Sequence, residues 1–288
     1  MIIGLSGYIG VGKDTVAKMI QYHMLGRTDP DGYRNNSSRD YSGSGWHIKK
    51  FAYKLKQMVS LLTGIPVEDL EKQEVKSREL GPEWNWYDYA IHTGSYKSPG
   101  TPRDRTGERN RLSLGSYERA SLEEREYHDM QVHAMTVREL LQKLGTDAVR
   151  DKVHPNAWVN ALMSEYTPRV SGRTVLVDFS NDGPVQEVTT PIYGEYPNWI
   201  ISDCRFENEA QAIKDRGGVI WRINRSIKYW EDPEWLKGGK VYTAPIPHSS
   251  ETSLDNWPFD RTIENNSSLE ELLSKVLEAL KEDNLLKT

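Results

Sequence analysis

The chain has 288 residues, a formal net charge of −5 from 37 Lys+Arg against 42 Asp+Glu, and one cysteine. With a mean hydropathy of −0.69 and a pI near 5.9, this composition excludes a membrane-embedded chain and an intrachain disulfide, and argues against a general nucleic-acid-coating surface, though not against a local basic cleft. The length buries a substantial core as one large domain or one domain with insertions; the lone Cys204 fits a reducing cytoplasm, and neither a leader nor a membrane span is expected.

Met1–Ser6 (MIIGLS) is a short apolar, β-branched run that predicts a buried strand. It runs into Gly7-Tyr8-Ile9-Gly10-Val11-Gly12-Lys13-Asp14-Thr15 and a helical pattern to about Met24. Gly7, Gly12 and Lys13 match the G-x-x-x-x-G-K core of a phosphate-binding loop, in the strand–loop–helix setting that the motif requires. Glycines, with Gly10 among them, let backbone N–H groups turn inward around phosphate oxygens, and the helix N-terminus adds a favourable partial charge. Lys13 supplies a mobile cation for the β- and γ-phosphates. Asp14 stands where Ser or Thr is usual. A carboxylate cannot donate to phosphate, but it can help hold Mg²⁺, directly or through water, while Thr15 supplies the hydroxyl. The stretch reads as a nucleotide phosphate site; the plain alternative is a tight strand–helix connection.

Arg27–Gly45 is Gly/Ser/Asn/Asp-rich and predicts a loop, followed by a strand at Trp46–Phe51. Ala52–Thr63 has a helical period, stopped by Gly64 and Pro66. Val67–Leu80 predicts a charged helix in which Lys72, Lys76 and Arg78 read equally as a solvated face. Gly81–Met135 is the least regular region, with Trp84, Trp86, Tyr87 and Tyr89, then Arg103, Arg105, Arg109 and Arg111, then a helical Ser121–Met130. It reads as an insertion that adds no strand to the main sheet. Thr136–Leu144 opens on a Thr136/Glu139 capping box, and Gly145-Thr146-Asp147 breaks or kinks the helix before Ala148–Asp151. Asn156–Tyr166 predicts a helix containing Trp158, and Arg173–Phe179 with Val188–Tyr193 predicts an inserted hairpin. Trp199–Asp203 (WIISD) predicts a buried strand leading into a helix over Phe206–Arg216. Val219–Ile223 is a further strand, Asn224–Pro258 a polar lid-like segment, Arg261–Glu264 a last short strand and Ser267–Leu280 the closing helix.

Strands alternating with helices predict an α/β fold, a parallel sheet flanked by helices with right-handed crossovers, in which ligands sit beyond the carboxyl ends of the strands. The glycine-rich loop then lies near Asp203-Cys204-Arg205. There Asp203 can order Mg²⁺-bound water and Arg205 can neutralise phosphate charge bidentately. Cys204 reads as a small core-side residue.

Four blocks, LSGYIGVGKDT, VRELLQKLGTDAVRD with Trp158, ISDCRFENEA with GGVIWRINR, and IENNSSLEELLSKV, resemble the bacteriophage deoxynucleoside monophosphate kinases in order and spacing. The resemblance implies a single P-loop NTPase domain of the nucleoside-monophosphate-kinase-like kind, with insertions at about 81–135 and a lid at about 224–258. It implies transfer of the ATP γ-phosphate to a dNMP with Mg²⁺, in an infected host cell's cytoplasm. By position it makes Gly10, Gly12, Lys13, Asp14 and Thr15 nucleotide-contacting. Arg138, Gly145, Thr146 and Trp158 match the family's acceptor-side cluster, and Asp203, Arg205, Phe206 and Glu209 its strand-end cluster. Lys72 sits nearest an arginine contact that is not cleanly matched. Gly145 also reads as a mere helix stop and Trp158 as a core residue.

The expected chemistry needs no strong base, because the acceptor is already a phosphate anion. Lys13, Mg²⁺, Arg138 and Arg205 offset the charge on the transferred group. Arg222 or Arg225 joins on lid closure, while His248 and Glu251 read as structural. Expected partners are a dNMP and no membrane or nucleic acid, with a homodimer left open. Two alternatives stand beside this one: a related kinase acting on hydroxymethylated bases in DNA, and a P-loop nucleotide-binding switch without transfer activity.

Overall fold

The computed structural model describes residues 1–35, 41–90, 109–168, 170–177, 186–225 and 252–286. Arg103, Arg105, His248, Glu251 and most of the expected lid lie outside them. A continuous apolar run needs cover on both faces, and Ile2–Ser6 (β1) is buried at every position. Lys13–Met24 follows as α1. The stretch expected as loop holds instead a short helix, Pro30–Asn35 (α2), and a 3-10 turn at Ser42–Ser44. The reason is local: the Asp29 carboxylate accepts from the Gly32 amide at 2.6 Å and from the Tyr22 hydroxyl at 2.7 Å, and Tyr33 packs edge-on against Tyr22. Trp46–Lys49 is β2.

The chain separates into two compact units, one of Met1–Lys54 with His154–Thr288 and one of Leu55–Val153. The second takes in nearly all of Tyr53–Thr63 (α3), then Gln73–Lys76 (α4), Trp86–Ala90 (β3), Arg109–Leu112 (β4), Leu114–Arg119 (α5), Leu122–Tyr127 (α6), Gln131–His133 (β5) and Val137–Gln142 (α7). The expected helix over Val67–Leu80 is reduced to a 3-10 turn at Asp69–Glu71 and the single turn α4, because Lys72 between them is extended and caps α4. The described residues of the irregular region form their own antiparallel sheet, β4-β3-β5, and add no strand to the main one. The Thr136 hydroxyl caps α7, accepting from the Glu139 amide at 3.2 Å. No break follows at Gly145: the helix continues in π form over Lys143–Val153. A Cβ on Gly145 would stand 2.7 Å from Leu55 Cδ2, so this glycine serves close packing on α3 and not helix termination.

In the first unit Ala157–Met163 (α8) is followed by Val170–Val177 (β6) and Gln186–Tyr193 (β7), a separate antiparallel hairpin. Asn198–Ile201 (β8), Glu207–Lys214 (α9), Val219–Asn224 (β9), Arg261–Glu264 (β10) and Leu269–Glu282 (α10) complete it. The main sheet is wholly parallel, in the order β10-β9-β1-β8-β2, with Ile3 opposite Ile200 on one side and Val219 on the other. Alternation decides which layer each residue joins. Ile3, Leu5, Ile200, Trp221 and Ile223 pack with α1 and α10, whereas Ile2, Trp199, Ile201 and Ile220 pack with α8 and α9. Each of these fully buried side chains contributes about 1.5–3 kcal/mol by leaving water. Among the described residues no helix is long and apolar enough to cross a membrane.

This strand order decides where a ligand sits. From β1 the chain crosses towards β2 at one edge, and from β9 it crosses to β10 at the other. Since β1 and β9 are neighbours, their carboxyl ends form the switch point of the sheet, the place where parallel α/β sheets bind ligands.

Candidate functional site

The loop after β1 lies at that switch point. Gly7, Gly10 and Gly12 all have positive φ, at 142°, 78° and 97°. Gly7 and Gly12 are required there twice over: a Cβ on Gly7 would collide with the Ile223 carbonyl of β9, and one on Gly12 would stand 2.7 Å from Asn265 Nδ2. Buried Val11 anchors the loop between them. Lys13, the first residue of α1, turns its ammonium back into the loop, donating to the Gly7 carbonyl at 2.7 Å and the Tyr8 carbonyl at 2.8 Å. Left-handed glycines, a helix start and the Lys13 ammonium thus lie together, the components from which anion-binding loops are built.

Asp14 stands on its rim. Its Oδ1 accepts from the Ser202 hydroxyl at 2.8 Å and pairs with Lys50 at 3.1 Å. Crowding at the loop pushes this carboxyl up, but Lys50, the Ser202 hydroxyl and Lys13 together outweigh it and hold the group below the usual carboxylate range. The side chain keeps 68% of its exposure, so water screens much of that pull. Thr15 follows within α1, where its carbonyl accepts from the Tyr33 hydroxyl.

The residues after β8 come to the same rim, because the Cys204 amide donates to the Leu5 carbonyl at 3.2 Å. Their carboxylates, however, serve the backbone. Asp203 accepts from the Phe51 amide at 2.8 Å and the Ala52 amide at 3.0 Å. Glu209, 3% exposed, accepts from the Arg205 and Phe206 amides at 2.8 and 3.2 Å and caps α9. Glu209 is therefore a capping residue in this structure. Burial, then Glu209 and Asp203, push the Cys204 thiol well above its ordinary value, in keeping with a core-side residue. Arg205 and Phe206 are half-buried at the strand end, and Arg225 is exposed just after β9.

Arg222 is placed differently from an open phosphate ligand. It is 7% exposed, its guanidinium lies 4.8 Å from the Tyr8 ring centroid and 5.4 Å from that of Phe259, and it pairs with Asp255 at 2.9 Å. The other oxygen of Asp255 accepts from the Tyr8 hydroxyl at 2.8 Å. That hydrogen bond, then burial and the Asp255 charge, push the Tyr8 phenol up.

No protein-family model and no curated protein matches this chain.

Trp158 is buried in α8. The remaining acceptor-side residues all belong to the second unit. Arg138 donates to Gln73 Oε1 at 2.7 Å, Lys72 pairs with Asp69 at 2.7 Å, Gly145 is buried against Leu55 and Thr146 is half-buried in the π-helical turn. Four rim residues escape a reading of the sequence: Lys50, Ser202, Asn265 and Asp255. Lys50, Ser202 and Asn265 directly follow β2, β8 and β10 at the carboxyl edge, and that position was the available signal.

Among the described residues no group of three or more His, Cys, Asp or Glu is arranged to hold a metal. Mg²⁺ does not require one, since it is bound by one or two carboxylates together with substrate phosphates and waters. Asp14, Ser202 and Thr15 offer hard oxygen atoms suited to that mode. Asp203 already satisfies two amides and is the weaker candidate.

Proposed function

We propose that the chain transfers the γ-phosphate of ATP to a deoxynucleoside monophosphate, yielding the diphosphate, as a P-loop kinase of the nucleoside-monophosphate-kinase-like kind. The observation that carries this reading is the Lys13 ammonium enclosed by the Gly7–Gly12 loop at the switch point of a parallel sheet. Bound phosphates compete with the Gly7 and Tyr8 carbonyls for that ammonium. The loop amides and Lys13 hold the donor phosphates and offset charge on the transferred group. Mg²⁺, held by Asp14 with Thr15 and Ser202 beside it, supplies charge neutralisation when bound with the nucleotide. Arg205 adds a bidentate cation at the strand end. The acceptor is already an anion, so alignment does the work and no strong base is needed.

The choice of acceptor rests on the family resemblance, which assigns Lys72, Arg138, Gly145 and Thr146 to it. A reducing cytoplasm and the absence of a nucleic-acid partner belong to the same proposal. An ATP-dependent assay over the four common dNMPs, modified dNMPs and hydroxymethylated duplex DNA tests it. Turnover of a free dNMP that falls by roughly two orders of magnitude or more in folded Lys13→Ala supports the reading. Near-normal turnover in that variant rejects it.

A further inference from the structure

The second unit carries a polar cluster that the donor loop and the expected acceptor residues leave unused. In the β4-β3-β5 sheet, Trp86 is paired across to His133 and Asp88 to Arg111. The two-residue alternation of strands puts Trp86, Asp88, Arg111 and His133 on one face. Asp88, 3% exposed, takes His133 Nε2 at 2.8 Å. Among the described residues no ion pair joins that carboxylate to Arg111, its cross-strand neighbour. The His133 ring stacks on Trp86 at 4.5 Å and 27°. The Arg111 guanidinium lies 5.9 Å from the Trp86 ring centroid and the Lys143 ammonium 5.3 Å, both at cation–π range. Neither cation has a carboxylate partner among the described residues. The Trp86 indole N–H is enclosed with no acceptor among them.

Three strands and a helix thus bring a guanidinium, an ammonium and an imidazole to one indole, the imidazole held by a buried carboxylate. Stacking restrains both cation heads, which lowers the entropy lost when they close on a ligand. A guanidinium fork matches phosphate oxygens in pairs and an ammonium adds a point charge. We propose that Arg111, Lys143 and His133, set around Trp86, form a second phosphate-binding site, in the second unit and outside the glycine-rich loop, that takes a phosphate monoester. This goes beyond the transfer reaction and does not depend on it.

The test uses the full chain carrying Lys13→Ala, so that the donor loop contributes little. Inorganic phosphate, a dNMP and a single-stranded oligonucleotide without terminal phosphates are titrated separately. The readout is the indole N–H resonance of Trp86, assigned with Trp86→Phe. Inorganic phosphate and the dNMP should shift it saturably, and Arg111→Gln with Lys143→Gln should weaken both by at least about tenfold. Arg111→Lys with Lys143→Arg, which keeps both charges, should restore part of the loss and guards against a folding artefact. No saturable shift, an unchanged affinity in the double glutamine variant, or preferential binding of the oligonucleotide would each overturn the proposal.

Discussion

Asn265 ties the end of β10 to the loop after β1: its side-chain amide donates to the Val11 carbonyl at 2.8 Å. The same nitrogen stands 2.7 Å from the place a Cβ on Gly12 would occupy. Asn265→Ala should cost about 1 kcal/mol through one lost hydrogen bond and weaken nucleotide binding, read by thermal melting and ATP titration. Gly12→Ala should be worse: the left-handed backbone alone costs about 1–2 kcal/mol for an alanine, and Asn265 must also move away. A Gly12→Ala protein with parental ATP affinity would refute this account of the loop.

The Asp255 carboxylate neutralises Arg222 while accepting from Tyr8. Asp255→Asn keeps an acceptor for the Tyr8 hydroxyl but removes a negative charge beside an anion site. ATP should bind about two- to fivefold tighter at low ionic strength, with the gain shrinking as salt is added. The Tyr8 phenol should ionise nearer its ordinary value, a change visible by ultraviolet titration. Weaker ATP binding in Asp255→Asn would show that the pair acts by fixing the loop and not by charge.

Asp203 offers a direct choice between metal and backbone roles. If its two amide contacts are its function, Asp203→Asn should lose about 1–3 kcal/mol of stability, since an amide NH₂ then faces a backbone N–H. The Mg²⁺ dependence of turnover should stay unchanged. A raised Mg²⁺ requirement at parental melting temperature would return Asp203 to the metal.

His23 sets a pH dependence. It is 2% exposed, with Nδ1 2.8 Å from the Arg27 carbonyl and Nε2 3.0 Å from the Leu273 carbonyl of α10. A neutral imidazole has one N–H, so it can satisfy only one of the two. Burial nonetheless outweighs both carbonyls and holds the group below its ordinary value of 6.5. The unfolded chain therefore binds this proton first, and the stability contributed by His23 is present above pH 6.5 and lost as pH falls towards the depressed folded value. Melting temperatures from pH 7.5 down to 5 should fall more steeply in the parent than in His23→Gln. Parallel curves would remove His23 from the acid response.

The parallel sheet was legible because β1, β8 and β9 are apolar runs bounded by glycine or polar turns, and the loop because glycine and lysine spacing is tied to one backbone shape. The π-helical course through Gly145 was not: a glycine inside a helical pattern reads as a stop until Leu55, ninety residues earlier, is seen against it. Glu209 resembled a ligand because a capping carboxylate and a binding carboxylate share the same letter. Only the Arg205 and Phe206 amides decide between them. Tyr8, Arg222 and Asp255 lie far apart in the chain, and no local pattern links a loop tyrosine to a carboxylate 247 residues away.

Strand β1 pairs only with residues 198–201 and 219–224. A ribosome adding roughly 5–20 residues per second needs on the order of ten to forty seconds to travel from the glycine loop to β8. Throughout that time a strand that is buried at every position in the fold has no native neighbour in the sheet. Such long-range pairing slows folding and leaves the unpaired strand exposed to aggregation until its partners are made. A loop made early relative to its sheet partners is thus completed late.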